Sequence, residues 1–198
     1  RHEVTHVTDK GAGKGALVVV RRRLTDAAGH EVAELEQTSF CRSDGGFGAG
    51  DAPPEALPAC PARAPDAQMA LRTLPQQALL YRLNGDMNPL HADPAVAAAA
   101  GFDRPILHGL CTYGLAARAV MQCFGGQAGA DLLARLDVRF SQPVFPGESL
   151  RIRLWQEADG LIHFDALPRN AMVLSHGVAR LSAAPAMRLS FPSEVSVP

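Results

Sequence analysis

The chain has 198 residues, 47% of them hydrophobic, with 19 basic against 20 acidic side chains and a net charge of −1. That is enough apolar material for a substantial core, while the near-neutral balance supplies no field that would gather nucleic acid. Apolar runs such as "GALVVV" fall well short of the roughly 20 residues that span a bilayer, and nothing at the start reads as a signal peptide, so an intracellular protein is expected.

From "HEVTHVTDK" through "GALVVVRRRLTDAAGHEVAELEQTSFCR" the residues alternate and favour Val, Leu and Thr, with "DAAGH" as turn chemistry. Two or three antiparallel strands are predicted. So few strands make no stable domain alone. They complete a sheet elsewhere in the chain or are the last strands of a domain whose first half is absent, and the second reading is preferred. Ser43–Asp66 carries five Pro and four Gly in 24 residues, which reads as a linker ordered by packing over a surface.

A helix is predicted from Pro75 to Leu83, with Pro in its first turn and Gly85 ending it. Asn88 precedes Pro89, which disfavours helical geometry there, so residues 84–92 should form a bent loop. Asp93 as N-cap and Pro94 at the first helical position start a short helix that Gly101 terminates. Gly109–Phe124 is the longest helical pattern, apolar or small nearly all round and therefore expected to be buried, with Gly125-Gly126 as its stop. The remainder alternates in four segments, "LLARLDVRFSQPV", "SLRIRLWQ", "GLIHFDAL" and "AMVLSHGVARLSA". The expected fold class is α+β, an antiparallel sheet wrapped around a central buried helix. The expected divisions are residues 1–42 (strands), 43–66 (linker) and 67–198 (the larger domain).

The chemistry gathers in "YRLNGDMNPLHADP" and the helix start that follows it. Asp86 and His91 lie five residues apart on a loop bent by Gly85 and Pro89, so a carboxylate and an imidazole can converge on one small site. Asn88 lies between them to orient a water or a carboxylate. Gly109 opens the long helix, where backbone N–H groups lack partners and no side chain blocks a carbonyl oxygen, a natural oxyanion donor. The plainer reading has Asp86 capping a turn and His91 filling a polar niche beside Asp93.

"YRLNGDMNPLHADP" with "AGFDRPILHGLCTYG" resembles the signature of the MaoC-like (R)-specific enoyl-CoA hydratase 2 family, which includes the hydratase module of peroxisomal multifunctional enzyme type 2. The likeness is collinear over nearly the whole chain, through "DKGAGKGALVVV", "SDGGFGAG", "RAPDA", "LPQQALLYRL", "VRFSQPVFPGESL" and "IHF". It implies two hot-dog folds, each a curved antiparallel sheet around a long helix, the N-terminal one partial here and the C-terminal one catalytic. The implied activity is reversible hydration of trans-2-enoyl-CoA to (3R)-3-hydroxyacyl-CoA, with coenzyme A part of the substrate and no separate cofactor or metal.

Residue by residue, the resemblance makes Asp86 and His91 the catalytic pair, Asn88 a positioning group and the Gly109 N–H the oxyanion donor. Met87, Pro89 and Leu90 would line the thioester site, Phe140 would touch substrate, and Lys14 or Lys10 would meet CoA. Asn84 stands where the family usually has Ser, which should alter hydrogen bonding around Asp86 and affect rate more than reaction. The absent front half would carry further acyl-CoA contacts in a His-Gly segment. The resemblance implies a homodimer without nucleic-acid or membrane partners. With no peroxisomal tripeptide in "SEVSVP", a cytoplasmic enzyme is expected.

Two other activities fit the same fold. A hot-dog thioesterase would bind the same class of substrate and release free CoA, and a non-catalytic subunit would bind without turnover. "GAGKGALVVV" resembles a phosphate-binding loop only superficially, because it precedes a strand and no Ser or Thr follows the Lys. His91, Asp93 and His108 could be imagined as metal ligands, but Asp93 is better used as a cap and His108 as a brace for the turn before the long helix. Trp155 and Phe164 read as sheet core, and His163 and His176 as structural. Cys41, Cys60, Cys111 and Cys123 have no Cys-x-x-Cys spacing, so free, mostly buried thiols are expected.

Overall fold

The computed structural model describes residues 1–125, 131–168 and 171–183. The chain divides into two compact units, Arg1–Ala56 and Leu57–Pro198, so residues 43–56 of the Pro/Gly-rich segment go with the first unit and 57–66 with the second.

The first unit is an antiparallel sheet of β1 (His2–Asp9), β2 (Ala16–Thr25) and β3 (Glu31–Cys41) in the order β1-β2-β3. It is separate from the sheet of the second unit, so these strands do not complete a sheet elsewhere among the described residues. Arg21 pairs with Glu34 and Glu36, and Arg23 with Glu31 and Glu34, which turns the basic run into a solvated ladder across β2 and β3. The Asp9 carboxylate accepts from the N–H of Gly11, Gly46 and Gly48 at 2.8, 2.7 and 2.6 Å. These bonds, Gly46 foremost, hold its pKa below the usual carboxylate value. Asp9 thus staples the "GGFG" loop to the β1–β2 turn. A side chain at Gly45 would lie 2.4 Å from the carbonyl oxygen of Gly15, so the two loops meet backbone to backbone.

In the second unit β4 (Ala67–Arg72), β5 (Asp131–Phe140), β6 (Ser149–Gln156), β7 (Leu161–Pro168) and β8 (Leu174–Ala183) form an antiparallel sheet in the order β4-β6-β7-β8-β5. Four strands were expected from the sequence. The fifth, β4, escapes notice because "AQMALR" is built from residues that favour helices, and its pairing with β6 overrides that preference.

The helix α3 (Gly109–Phe124) lies against this sheet, its Ala116, Ala119 and Val120 packed in one cluster with Leu150, Ile152, Leu154, Ile162, Phe164 and Ala179. Small residues on the helix let the sheet approach and curve around it, the hot-dog arrangement. Burial of α3 is one-sided, however. Leu110 is 61% exposed and Gly114, Arg118 and Gln122 also face outward, because the sheet of this unit covers a single helix face. Gly126, named as part of the helix stop, lies outside the described residues.

The helix predicted from Pro75 to Leu83 is shorter, α1 (Gln77–Tyr81), followed by a 3₁₀ turn over Arg82–Asn84. Pro75 and Gln76 form a turn closed by Gln77 N–H to the Leu74 carbonyl, and the chain then tightens because Gly85, at φ +102°, closes on the Arg82 carbonyl. The short helix α2 (Pro94–Ala99) forms as expected, its N-cap Asp93 accepting from Ala95 N–H at 2.8 Å.

Residues 57–66 cross the outer face of the sheet. Cys60 Sγ donates to the Phe164 carbonyl, Trp155 Nε1 donates to the Arg63 carbonyl at 2.8 Å, and the Asp66 carboxylate accepts from Gln156 N–H. Central strand β7 is covered on both faces as a result, with Phe164 toward α3 and His163 and Asp165 buried on the other side. All four cysteines are free, Cys111 buried and the others half-buried, and burial pushes the Cys60 thiol up to about 11. No helix among the described residues is long and apolar enough to cross a membrane.

Gly177 marks the closest packing in the sheet, where an added Cβ would lie 2.4 Å from the Phe164 carbonyl oxygen and 2.5 Å from its ring. Gly177→Ala is therefore expected to destabilise by about 1–3 kcal/mol, measured as a lower urea midpoint at unchanged slope.

Candidate active site

The loop takes its shape from four local devices. Gly85 reverses the chain after the 3₁₀ turn. The Asp86 carboxylate accepts from Asn88 N–H at 3.2 Å, and Asn88 Oδ1 accepts from Leu90 N–H at 3.0 Å. Pro89 then opens a second 3₁₀ turn, Pro89–His91, that delivers His91 inward. Asp86 stays exposed while His91 is only 9% exposed. The turn-capping reading of Asp86 is thus correct as far as it goes, but one carboxylate oxygen accounts for it.

His91 Nδ1 lies 2.9 Å from the Ile106 carbonyl oxygen. A carbonyl only accepts, so Nδ1 carries a proton, and in the neutral ring it is Nε2 that presents the lone pair. The His91 ring stacks on His108, centroids 3.8 Å apart and planes 27° apart, and Tyr81 packs on the same His108 ring at 4.7 Å. His108 Nε2 donates to the Asp86 carbonyl at 3.2 Å. Burial first, then the neighbouring His91, pushes the His108 pKa below the ordinary imidazole value.

One ligand atom each from Asp86, His91 and His108 lies within 4.8 Å of the others. These differ from the trio His91, Asp93 and His108 considered from sequence, since Asp93 is occupied as a helix cap. One nitrogen of each ring is already committed, His91 Nδ1 to the Ile106 carbonyl and His108 Nε2 to the Asp86 carbonyl.

Gly109 begins α3, so its N–H is among the first-turn groups without an intrahelical acceptor. The Phe140 ring lies 3.2 Å from where a Cβ would stand on Gly109, so any side chain there would require the ring to give by a few tenths of an ångström. A cavity of about 270 Å³ runs from here, lined by His91, Gly109, Thr112, Phe140, Val144 and Leu174 among others. A larger cavity, about 370 Å³, lies under residues 59–65 on the outer sheet face. There the Asp165 carboxylate is gripped by Arg153 at 2.8 and 2.5 Å, and His176 lines the same cavity, whereas the smaller one is the cavity that meets both His91 and the start of α3.

The structure therefore brings His91, Gly109 and Phe140 together in the cavity wall and sets Asp86 beside His91 and His108, outside the lining, with Asn88 shaping the turn. Met87 is 61% exposed, Pro89 is exposed and Leu90 half-buried; none of the three lines the cavity. Lys10 and Lys14 belong to the first unit, where Lys10 Nζ sits 5.5 Å from the centre of the Phe40 ring. Sequence reasoning did not foresee the Ile106 carbonyl that sets the His91 tautomer, nor Thr112 and Val144 in the cavity wall. Backbone acceptors and apolar lining carry no residue signature of their own.

Hot-dog topology with an acid and an imidazole facing a helix N-terminus describes a class of enzymes that move protons beside a bound carbonyl. Residues 57–166 match the family model described as MaoC like domain, and the chain belongs to the MaoC-like dehydratase family. It is 48% identical over 160 residues to 3-hydroxyacyl-thioester dehydratase Y of Mycobacterium tuberculosis, covering 80% of this chain and 55% of that protein. The structure of full-length peroxisomal multifunctional enzyme type 2 from Drosophila melanogaster matches with a TM-score of 0.81 at 39% identity, over 91% of this chain and 33% of the other. A MaoC-like dehydratase from Phytophthora capsici matches with a TM-score of 0.85 at 38% identity, over 93% of this chain and 64% of the other. The chain thus spans little more than half the length of the first of these relatives.

Proposed function

We propose that this chain catalyses the reversible hydration of trans-2-enoyl-CoA to (3R)-3-hydroxyacyl-CoA. The observation that carries the reading is the His91 tautomer: with Nδ1–H tied to the Ile106 carbonyl, the neutral ring offers Nε2 as its base, in a cluster that includes the Asp86 carboxylate. Between them a water gives up a proton as its oxygen bonds to C3 of the enoyl group, and a proton returns to C2. The Gly109 N–H receives the charge that develops on the thioester oxygen. Phe140 and the apolar cavity hold the acyl group dry next to the pair.

Relatives named as a 3-hydroxyacyl-thioester dehydratase and a peroxisomal multifunctional enzyme support the substrate class. The chemistry needs no metal or redox cofactor, because proton transfer and one amide donor suffice. The same reading takes a cytoplasmic homodimer as the working form, with Lys10 or Lys14 meeting CoA, which sedimentation and Lys→Ala variants at each position would check.

Incubated with a trans-2-enoyl-CoA, the protein is expected to bleach the conjugated-thioester absorbance and to form the (3R) product. An (S) product, release of free CoA, or tight binding without turnover would each defeat the proposal.

A further inference from the structure

We propose that His108 is the positioning residue of this site, a buried imidazole that holds the Asp86 loop and the plane of the His91 ring as one rigid unit. The role in catalysis rests on the hydration reading above.

His108 is 1% exposed and touches both members of the pair, donating from Nε2 to the Asp86 carbonyl and offering a ring face to His91. The Ile106 hydrogen bond tethers His91 at a single atom, Nδ1, which by itself leaves the ring free to swing about that contact. Stacking on His108, itself backed by Tyr81, removes that freedom and keeps the Nε2 lone pair aimed. Because the same ring holds the Asp86 carbonyl, the separation of carboxylate and imidazole is set by His108 and not by the loop alone.

The neutrality of His108 follows from its surroundings. Its Nδ1 is buried with no hydrogen-bond partner among the described residues. Protonation would place an N–H there with no acceptor, a costly arrangement in a dry site. Titratable or charged groups facing the ring are His91, Arg82, Asp86 and the Tyr81 phenol packed on it. Burial above all, then His91 and Arg82, oppose a cation; the Asp86 carbonyl and carboxylate favour one, but the carbonyl is already satisfied by the neutral Nε2–H tautomer.

Misplacing reacting groups by about 1 Å can cost on the order of 10² in rate. His108→Leu, which lacks the donor, is therefore expected to lower kcat by about 10² with little change in KM. His108→Gln, whose amide N–H can reach the same carbonyl, is expected to recover most of the loss. Wild-type kcat per folded molecule in His108→Leu, or no recovery in His108→Gln, would overturn the proposal.

A second arm is independent of turnover and of the variants' folding. Long-range ¹H–¹⁵N spectra of the wild-type protein should show His108 as the Nε2–H tautomer, titrating below the ordinary imidazole value. Titration at or above the ordinary value, or an Nδ1–H tautomer, would overturn it. If wild-type protein fails to hydrate enoyl-CoA, the functional reading falls, and the spectra still decide the state of His108.

Discussion

Asp86→Asn and His91→Gln are each expected to lower turnover by roughly 10²–10⁴, the range typical of general acid–base groups. The double variant should lose little more than either single one, because two groups that share one water act as a unit. The geometry gives each change a specific meaning. Asn at position 86 can still accept the Asn88 N–H that shapes the turn, so the loop survives while the charge is lost. Gln at position 91 removes the basic Nε2 that the Ile106 carbonyl leaves exposed. Steady-state rates with a trans-2-enoyl-CoA check both. Near-wild-type activity in either single variant would refute the assignment, and strictly multiplicative losses would show that the two groups act separately.

Phe164→Ala should produce the largest loss of stability, on the order of 3–5 kcal/mol. The ring is fully buried in the cluster between the sheet and α3, and Gly177 of the neighbouring strand is pressed against it. Backbone strands cannot collapse into the space a ring leaves, so most of the cavity would persist. Thermal unfolding followed by circular dichroism should show the midpoint falling by roughly 2–4 °C per kcal/mol for a chain of this size. A change inside about 0.5 kcal/mol, normal for exposed positions, would mean the ring is not packed as described.

Much of the local organisation was legible because it rests on short-range rules. The α3 boundaries Gly109–Phe124 follow from its apolar pattern and glycine ends, and Asp93-Pro94 announces α2 through cap chemistry. The strands β6, β7 and β8 announce themselves by alternation. Strand β4 was not legible, since "AQMALR" becomes a strand only by pairing with β6. The all-round apolar pattern of α3 predicted complete burial, whereas exposure of Leu110 depends on how much sheet the fold lays over the helix.

The site divides in the same way. Residue types and spacing alone determined that Asp86, Asn88 and His91 share a bent loop and that Gly109 opens a helix, because turn and cap preferences act over three or four residues. Only the tertiary structure decided which nitrogen of His91 is free, that His108 stacks on it, and that Phe140 closes against Gly109. Those facts depend on groups 15 to 31 positions apart in the chain, Ile106 from His91 and Phe140 from Gly109. No local preference specifies such contacts; they exist because packing the sheet on α3 brings distant segments within hydrogen-bonding and van der Waals reach.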